Sequence, residues 1–474
     1  MKGISLCLAG FGPIFFPQTT LLLRSLLNLE TRKTYVEEPS APVEKAIVAE
    51  NPKSGVNLKS LLAAIVIVSA FAELSYTTVN ISAMGVYIKD GIKIDPSWIA
   101  ICATVFVAME GLLKSPMGIL GDRFGRKPLI VIGPLVSVLT ALLTPHVANP
   151  YILVFLRILD GVGAAALWPA AFSLIGDHVP VEKRASAMSL FNLAYLVGLA
   201  LGPALGGGIN DFAFHHLPIT YAHSKEASFY LAAVLFGITT VIAFVMIPNF
   251  PPTAGKKATG EHGLSFKEFL EMLRRMPMTL LMTFITFLGI GLVIPYFKVF
   301  LLEHFMLSES QFGLKMIGPA LVVAALAIPM GRVADRIGKA RAVQIGIGIC
   351  TVSFWMLIMM THNWAIILLG SLLGIGFAIA FPAWMALITS ECDDAQRGTV
   401  VGAVGTAQGL GAVVGMVISK QLYKFPAFNF LGLPVPVHAS PFLGCAIMIT
   451  VAFILGLFTL RDNPRYVATH DTPP

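Results

Sequence analysis

Three ionisable residues that could do chemistry lie inside long apolar runs of the chain: Glu73, Arg157 and Asp160. Charges at such a depth are costly, and they normally face a bundle interior or a water-filled cavity. Arg157 and Asp160 are three residues apart, so one face of a helix would carry both and they could pair. Glu73 is a candidate proton or cation site, and Tyr76 and Asn80 add polar groups close to it. This pattern predicts proton or substrate coupling inside a membrane.

Each of these residues also has a purely structural interpretation. Glu73 could be a hydrogen-bonded structural glutamate, and Arg157 with Asp160 could be a self-neutralising pair. The second half of the chain has Gly370 and Leu373 at the equivalent positions, so the charged pair belongs to one half only. That asymmetry favours a function.

Three other charged residues of the apolar runs have simpler interpretations. Glu110 and Lys114 are four residues apart, in the order that favours an internal ion pair. Lys298 lies near the end of its segment, where we expect its long side chain to extend to the membrane surface.

The composition indicates that most of the surface faces lipid. Hydrophobic residues make up 56% of the 474 residues, charged residues 12%, and the mean hydropathy is +0.79. A soluble domain carries about 25% charged residues. Basic cytoplasmic loops explain the net charge of +7 better than a nucleic-acid partner does. The 5 cysteines show neither CxxC spacing nor a nearby His at ligand spacing, so we expect no metal, no cofactor and no disulfide framework.

Twelve apolar segments are long enough to span a bilayer, which takes about 20 residues each. They lie at about 60–82, 97–117, 128–146, 150–177, 186–208, 226–248, 278–302, 310–333, 342–360, 364–389, 398–420 and 438–460. We therefore expect an all-α membrane protein with 12 transmembrane helices in two pseudo-symmetric six-helix bundles, at 58–248 and 278–461. The remaining ranges are an interfacial or disordered extension at 1–57, a cytoplasmic linker at 249–277 and a cytoplasmic tail at 462–474.

Lysine and arginine concentrate in the loops on one side of these segments. That side carries Arg123, Arg126, Lys127, Lys183, Arg184, Lys256, Lys257, Lys267, Arg274, Arg275, Arg336, Lys339, Arg341 and Arg397. The positive-inside rule makes this side cytoplasmic and places both termini inside. The apolar stretch 4–27 is interrupted by Pro13, Pro17 and Arg24, so we interpret it as interfacial or poorly ordered. A cleaved signal or an upstream mis-assigned start is the alternative.

The chain repeats itself at an offset of 213 residues. Pro116-Met117-Gly118 and Asp122-Arg123-x-Gly125 recur as Pro329-Met330-Gly331 and Asp335-Arg336-x-Gly338. At the same offset Gly161-x-Gly163 matches Gly374-x-Gly376, and Trp168-Pro169-Ala170 matches Phe381-Pro382-Ala383. Repeated halves in a membrane indicate an alternating-access carrier.

The loop at 118–128 reads GILGDRFGRKP and resembles the signature loop of the major facilitator superfamily. The resemblance covers about residues 58–465 and implies that superfamily's fold. It also implies that this loop, with its second copy, latches the two halves together in the outward-open state. The latch residues are Gly118, Asp122, Arg123, Gly125, Arg126, Asp177, Asp335, Arg336 and Gly338.

The residues of this loop allow a physical interpretation as well. Gly118 would let helices approach closely, and Gly125 would permit a tight reversal of the chain. Asp122 could cap a helix N-terminus. Arg126 could pair with a carboxylate across the interface, for which Asp177 is the candidate. In the alternative interpretation, the charges merely anchor the loop in the cytoplasm.

Two further motifs carry the resemblance. Arg157 to Gly163 resembles the second motif of the superfamily, with Asp160 where Gln is usual. Residues 198–207 resemble a Gly-x-x-x-Gly-Pro-x-x-Gly-Gly motif associated with its antiporters, and the match is complete. The matching residues are Gly198, Gly202, Pro203, Gly206 and Gly207. Pro203 would bend the helix and the glycines would pack against the other half; ordinary small-residue packing is the alternative.

The sequence contains no Walker A, HExxH or GxSxG pattern, so we expect neither ATP-driven transport nor an enzyme. The resemblance implies a drug:proton antiporter that exports small organic or drug-like molecules. A proton-coupled symporter of small organic solutes, anions or sugars, is the alternative, because residues 168–172 also resemble anion symporters. A non-transporting sensor or assembly factor is a third possibility, which a large soluble domain would favour. We expect a monomer in the bacterial inner membrane, with a small-molecule substrate, protons and lipid as its partners.

Overall fold

The chain folds into long helices in the computed structural model, which describes residues 58–250, 277–390 and 397–461. The predicted N-terminal extension, most of the linker and the tail lie outside the described residues. The long helices are α1 Leu58–Gly91, α2 Ser97–Phe124, α3 Arg126–His146, α4 Pro150–His178, α5 Val181–His216, α6 Ala227–Met246, α7 Pro277–His304, α8 Glu309–Ile337, α9 Lys339–Met359, α10 Ala365–Ser390, α11 Arg397–Leu422 and α12 Ser440–Thr459.

Smaller elements complete the described part of the chain. A short helix, Tyr221–Ser224, precedes α6, and an antiparallel hairpin of Phe428–Phe430 and Leu433–Val435 precedes α12. Of the described helices, 11 satisfy the length and hydropathy expected of a membrane span. Helix α8 has 29 residues and occupies the position of the eighth predicted segment.

Local sequence explains where several helices begin and end. The side chain of Asn149 accepts a hydrogen bond from the Tyr151 backbone amide at the start of α4, and Pro150 fits the first helical position. A capping box of Ser308 and Gln311 starts α8. The chain reverses between α2 and α3 at Gly125, with φ +94°, and between α8 and α9 at Gly338, with φ +95°. Because only glycine adopts such angles at little cost, the two copies of the loop turn in the same way.

Helices α1–α6 (the N bundle) and α7–α12 (the C bundle) pack by the same scheme. In the N bundle the main contacts are α1 with α5 and α6, α3 with α4 and α6, and α2 with α4. The C bundle has the equivalent contacts, α7 with α11 and α12, α9 with α10 and α12, and α8 with α10. Helix α5 meets α8, and α2 meets α11, across the interface between the bundles. The repeat in the sequence is thus a repeat in the packing.

Glycine pairs fix one of these repeated contacts. A Cβ on Gly133 of α3 would stand 2.6 Å from the carbonyl oxygen of Gly163 on α4. A Cβ on Gly346 of α9 would stand 2.5 Å from the carbonyl oxygen of Gly376 on α10. Both backbones approach this closely because neither side has a side chain.

Candidate functional site

Glu73 lies on α1 where that helix packs against α5, and only 5% of the residue is exposed. A Cβ on Gly198 would stand 2.8 Å from the Cβ of Glu73, so the missing side chain permits this approach. The side chain of Tyr195, also on α5, is a polar neighbour of the Glu73 carboxyl. On α2, Glu110 and Lys114 pair at 2.8 Å, as predicted from their spacing, and their charges act on the same carboxyl. Within the described part of the chain, Glu73 has no ion-pair partner.

Arg157 and Asp160 form an ion pair inside the N bundle, with 2.9 Å between Nη1 and Oδ2. Each residue is 1% exposed. Thr140 of α3 donates a hydrogen bond to Oδ1 of Asp160 at 3.4 Å. The three guanidinium nitrogens of Arg157 have no well-directed hydrogen bond to any residue that the structure describes. Leaving a buried donor unsatisfied costs about 1–3 kcal/mol, so burying this pair lowers the stability of the folded protein.

Tyr76 follows Glu73 by three residues on α1 and is buried. Its hydroxyl is 3.1 Å from that of Ser137 on α3, and the charges of Asp160 and Glu73 both act on it. Asn80 is half-buried in the π-helical part of α1, Thr78–Ala83. The structure therefore brings four of the five predicted coupling residues into the interior of one bundle.

Arg126 is the centre of the loop between α2 and α3. Its guanidinium contacts Asp122 at 2.5 Å, Asp177 at 3.3 Å and the carbonyl oxygen of Gly118 at 3.3 Å. The predicted pair with Asp177 forms within the N bundle, between α3 and α4, and does not cross the interface between the bundles. The helix-capping interpretation of Asp122 is wrong, because Asp122 lies in the last turn of α2 and its carboxylate faces Arg126. Close helix approach at Gly118 is also not observed, since a Cβ there would meet nothing within 4 Å among the described residues.

The other predicted latch residues lie at the same end of the bundles. Arg123 and Arg336 are exposed in the last turns of α2 and α8. The side chain of Asp335 is outside the described part of the structure, whereas Gly125 and Gly338 form the two chain reversals.

The glycine motif of α5 presents two faces. A Cβ on Gly202 or Gly206 would collide with Thr77 or Ser82, so these glycines pack against α1 within the same bundle, as Gly198 does. Gly207 instead packs against α8, where a Cβ would collide with the carbonyl oxygen of Glu309. The prediction that the glycines pack against the other half is therefore wrong for three of the four.

Pro203 belongs to the second face of α5. A Cβ on Gly313 of α8 would stand 2.8 Å from the carbonyl oxygen of Pro203. The motif thus brings α5 close to α1 and to α8 at once, and helices of both bundles depend on it.

A buried ion cluster that sequence reasoning missed joins the two bundles. Glu309 of α8 contacts Lys298 of α7 at 2.5 Å and Lys225, in the turn before α6, at 2.6 Å. Lys298 also donates to the carbonyl oxygen of Ser82 at 2.7 Å, and Asn210 of α5 donates to Glu309 at 3.0 Å. All three charged residues are at most 3% exposed. The expected extension of Lys298 to the membrane surface is wrong, because these partners hold its ammonium group inside.

The signal for this cluster in the sequence was weak. Lys225 and Glu309 lie at segment ends, where charges are ordinary, and only Lys298 interrupts an apolar run. Nothing in the spacing brings residues 225, 298 and 309 together. Their meeting depends on how the bundles face each other.

The two ends of the bundle interface differ. We call the end with residues 92–96 and 305–308 the first-loop end, and the end with residues 123–127 the basic end. At the first-loop end, the ion cluster is joined by contacts of Lys89 with Glu303, Asp95 with Lys424 and Asp211 with the Ser310 amide. Along α2 and α11, from the middle of each helix toward the basic end, a Cβ on Gly111, Gly118, Gly405 or Gly409 would meet nothing within 4 Å among the described residues. The bundles are thus held together at the first-loop end.

The family profile described as Major Facilitator Superfamily matches residues 65–285 and 279–472. The class C tetracycline resistance protein of Escherichia coli is 24% identical over 347 residues, which cover 72% of this chain and 84% of that protein. The multi-drug resistance efflux pump PmrA of Streptococcus pneumoniae is 36% identical over 153 residues, 32% of this chain and 36% of that protein.

Among solved structures, the nucleoside transporter NupG is similar in fold. It has a TM-score of 0.67 and 14% identity, and the match covers 85% of this chain and 100% of that one. At this identity the likeness concerns the fold.

Proposed function

This chain belongs to the Major Facilitator Superfamily and is a membrane transporter rather than an enzyme, and we propose that it exports small organic or drug-like molecules in exchange for protons. Relatives named as tetracycline resistance and multidrug efflux proteins support export. The complete glycine motif of α5 is the second support, because antiporters of the superfamily carry it.

The observation that carries the proton coupling is the position of Glu73. Its carboxyl is buried without a cationic partner among the described residues, beside Tyr195 on a helix that also contacts the other bundle. A proton taken up there would remove a buried charge, and substrate binding would oppose or favour that uptake. Proton uptake at Glu73 and substrate binding could therefore alternate.

Alternating access also requires two states of the bundle interface. The loop charges predict that the basic end lies on the cytoplasmic side. Because the bundles are held together at the opposite, first-loop end, we interpret the structure as a state whose passage opens toward the cytoplasm. Closing the basic end would bring α2 toward α11 and cover the free face of Gly118. In that state we expect the loop cluster around Arg126 to act as the latch, with Asp335 and Arg336 from the second copy.

Purified protein in lipid vesicles tests this function. With an imposed proton gradient, an antiporter moves a dye such as ethidium against the direction of proton flow. We expect Glu73→Gln to reduce this proton-driven transport at least tenfold, because the neutral side chain cannot exchange a proton. Glu226→Gln is the matched control, since the Glu226 carboxyl is half-buried just before α6 and its charged neighbours are His223 and His146.

Two outcomes would contradict the proposal. Full proton-driven transport by Glu73→Gln would exclude Glu73 as the coupling site. Movement of the substrate with the protons would instead identify a symporter, for which the unsatisfied N–H groups of Arg157 offer an anion partner.

A further inference from the structure

A cavity of about 250 Å³ lies inside the C bundle, between α7, α9, α10 and α12. The side chains that surround it are mainly aromatic and aliphatic, and none carries a charge. Aromatic rings are contributed by Phe287, Phe354, Phe377, Phe381 and Trp384. Polar atoms come from Thr283, Thr286 and Cys350. Phe377 and Phe381, which stack at 5.1 Å and are 50% and 37% exposed, stand at its mouth.

The internal repeat identifies the equivalent place in the N bundle. Over most of the bundles the offset is 213 residues. For example, the ring contact of Tyr87 with Phe229, at 5.1 Å between centroids, corresponds to that of Phe300 with Phe442, at 4.0 Å. In the first part of α1 and α7 the offset is 214. The matching contacts are Gly198 with Ala70 and Leu74, and Gly411 with Phe284 and Leu288.

The extra residue of α1 has a physical origin. The stretch Thr78–Ala83 is π-helical, and a π-type bulge holds one residue more than a regular α-helical turn. Tyr76, which precedes this stretch, is therefore equivalent to Ile290. The other equivalent pairs are Ser137 and Cys350, Asp160 and Leu373, Trp168 and Phe381, and Phe236 and Ile449.

In the N bundle an aromatic ring occupies this place. The ring of Tyr76 is 4.7 Å from that of Phe236, edge to face, and 6.3 Å from that of Trp168. In the C bundle, aliphatic Ile290 and Ile449 replace Tyr76 and Phe236, and both line the cavity. The C bundle thus leaves a space where the N bundle holds the rings of Tyr76 and Phe236. Other rings border this space, because Phe287, Phe354, Phe377 and Trp384 stand where the N bundle has Glu73, Ala141, Ala164 and Ala171.

From this equivalence, we propose that the C-bundle cavity binds an uncharged aromatic ring of the transported molecule. The proposal rests on the function proposed above, since it names the class of substrate. A charged group is disfavoured because the cavity offers no counter-ion. Thr286 or Cys350 could hydrogen-bond a neutral hydroxyl or amine on the ring, as Ser137 does with the Tyr76 hydroxyl.

Photolabelling of the purified full chain with benzophenone, a neutral aromatic probe, tests this site. We expect the label on peptides of α7, α9 and α10 that line the cavity. The double variant Ile290→Tyr/Ile449→Phe places the N-bundle side chains in the C bundle, and it should reduce labelling at least tenfold. Ile345→Tyr, on the 48% exposed face of α9, is the matched control and should label like the unmodified protein.

Several results would overturn the proposal. One is label outside the cavity, and another is undiminished labelling of a filled variant that elutes as a folded protein. Should the double variant misfold, Ile449→Phe alone fills part of the space and should still weaken labelling. Displacement of the label by oleate, but not by naphthalene, would identify a lipid-chain site instead.

Transport measurements separate this proposal from the proposed function. If the double variant loses labelling but exports neutral aromatic compounds at the normal rate, the cavity is not a substrate site and the antiport proposal stands. If the unmodified protein binds the probe in the cavity but moves no compound against a proton gradient, the antiport proposal fails. Labelling alone then decides whether the cavity binds aromatic rings.

Discussion

The N and C bundles share one helical frame and differ in what fills it. The glycine contacts Gly133–Gly163 and Gly346–Gly376 are equivalent, as are the chain reversals at Gly125 and Gly338. Between these fixed points the N bundle holds a buried carboxyl and an ion pair, whereas the C bundle holds an apolar cavity. Backbone geometry is preserved because a side chain at the paired glycines would collide and because the two chain reversals need a positive φ. The side chains between these points are free to diverge.

The ion cluster at the first-loop end also associates buried charge with the N bundle. Lys298 and Glu309 are charged residues of the C bundle that are buried, and both find partners on the N bundle. In the described part of the structure, buried charge therefore lies in the N bundle or at its interface with the C bundle.

The largest expected effect comes from breaking the N-bundle ion pair. Asp160→Asn leaves the Arg157 guanidinium buried without a counter-charge, which destabilises a protein by about 3–5 kcal/mol. Thermal unfolding of the purified variant in detergent measures this loss. The double variant Arg157→Leu/Asp160→Leu imitates the apolar C bundle and should recover most of the stability. No recovery would mean that the two residues have separate structural roles.

Breaking the cluster between the bundles should change their equilibrium. Glu309→Gln leaves Lys225 and Lys298 without an anion, so the first-loop end should open. We expect the ratio of open to closed molecules at that end to rise about 100-fold, measured by spin-label distances across the interface. The triple variant Lys225→Met/Lys298→Met/Glu309→Gln removes all three buried charges and should restore the closed state. An unchanged ratio in Glu309→Gln would show that apolar contacts alone hold this end closed.

Substitutions at matched glycines test whether the frame is equally tight in both bundles. Gly202 faces Thr77 on α1, and Gly415 faces Leu288 and Leu292 on α7. We expect Gly202→Ala and Gly415→Ala each to cost about 1–3 kcal/mol, since the added methyl group meets backbone or a short side chain. Gly118→Ala is the control and should leave stability unchanged. A clear cost at only one of the two matched positions would contradict an equivalent frame.

The smallest effect is expected at the exposed pair of Asp95 with Lys424, 3.3 Å apart. Hydrogen bonds from Ser97, and then the Lys424 ammonium, hold the pKa of Asp95 below its usual range. Its contribution to stability is therefore present above about pH 4 and is lost as the pH falls through the lowered pKa. Asp95→Asn should cost about 0–1 kcal/mol near neutral pH and nothing at lower pH, measured by unfolding across a pH series. A cost as large as that of Asp160→Asn would contradict this ordering.

Much of the fold could be predicted from the sequence. Apolar runs of about 20 residues require helices in a bilayer, because each backbone group must find its partner inside its own segment. The 213-residue repeat predicted two bundles of one design. Spacing along a single helix was equally informative, and the pairs Arg157–Asp160 and Glu110–Lys114 are both observed.

Contacts between distant segments were decided by the tertiary structure. The meeting of Lys225, Lys298 and Glu309 depends on three segments that no local pattern relates. No pattern in the sequence indicated that a Cβ on Gly118 would have no neighbour within 4 Å among the described residues. The cavity lies where Ile290 and Ile449 stand in place of Tyr76 and Phe236, and the first of these equivalences depends on one extra residue in a π-helical turn. Periodicity fixes what lies along a helix, but the space between helices is determined only when they pack.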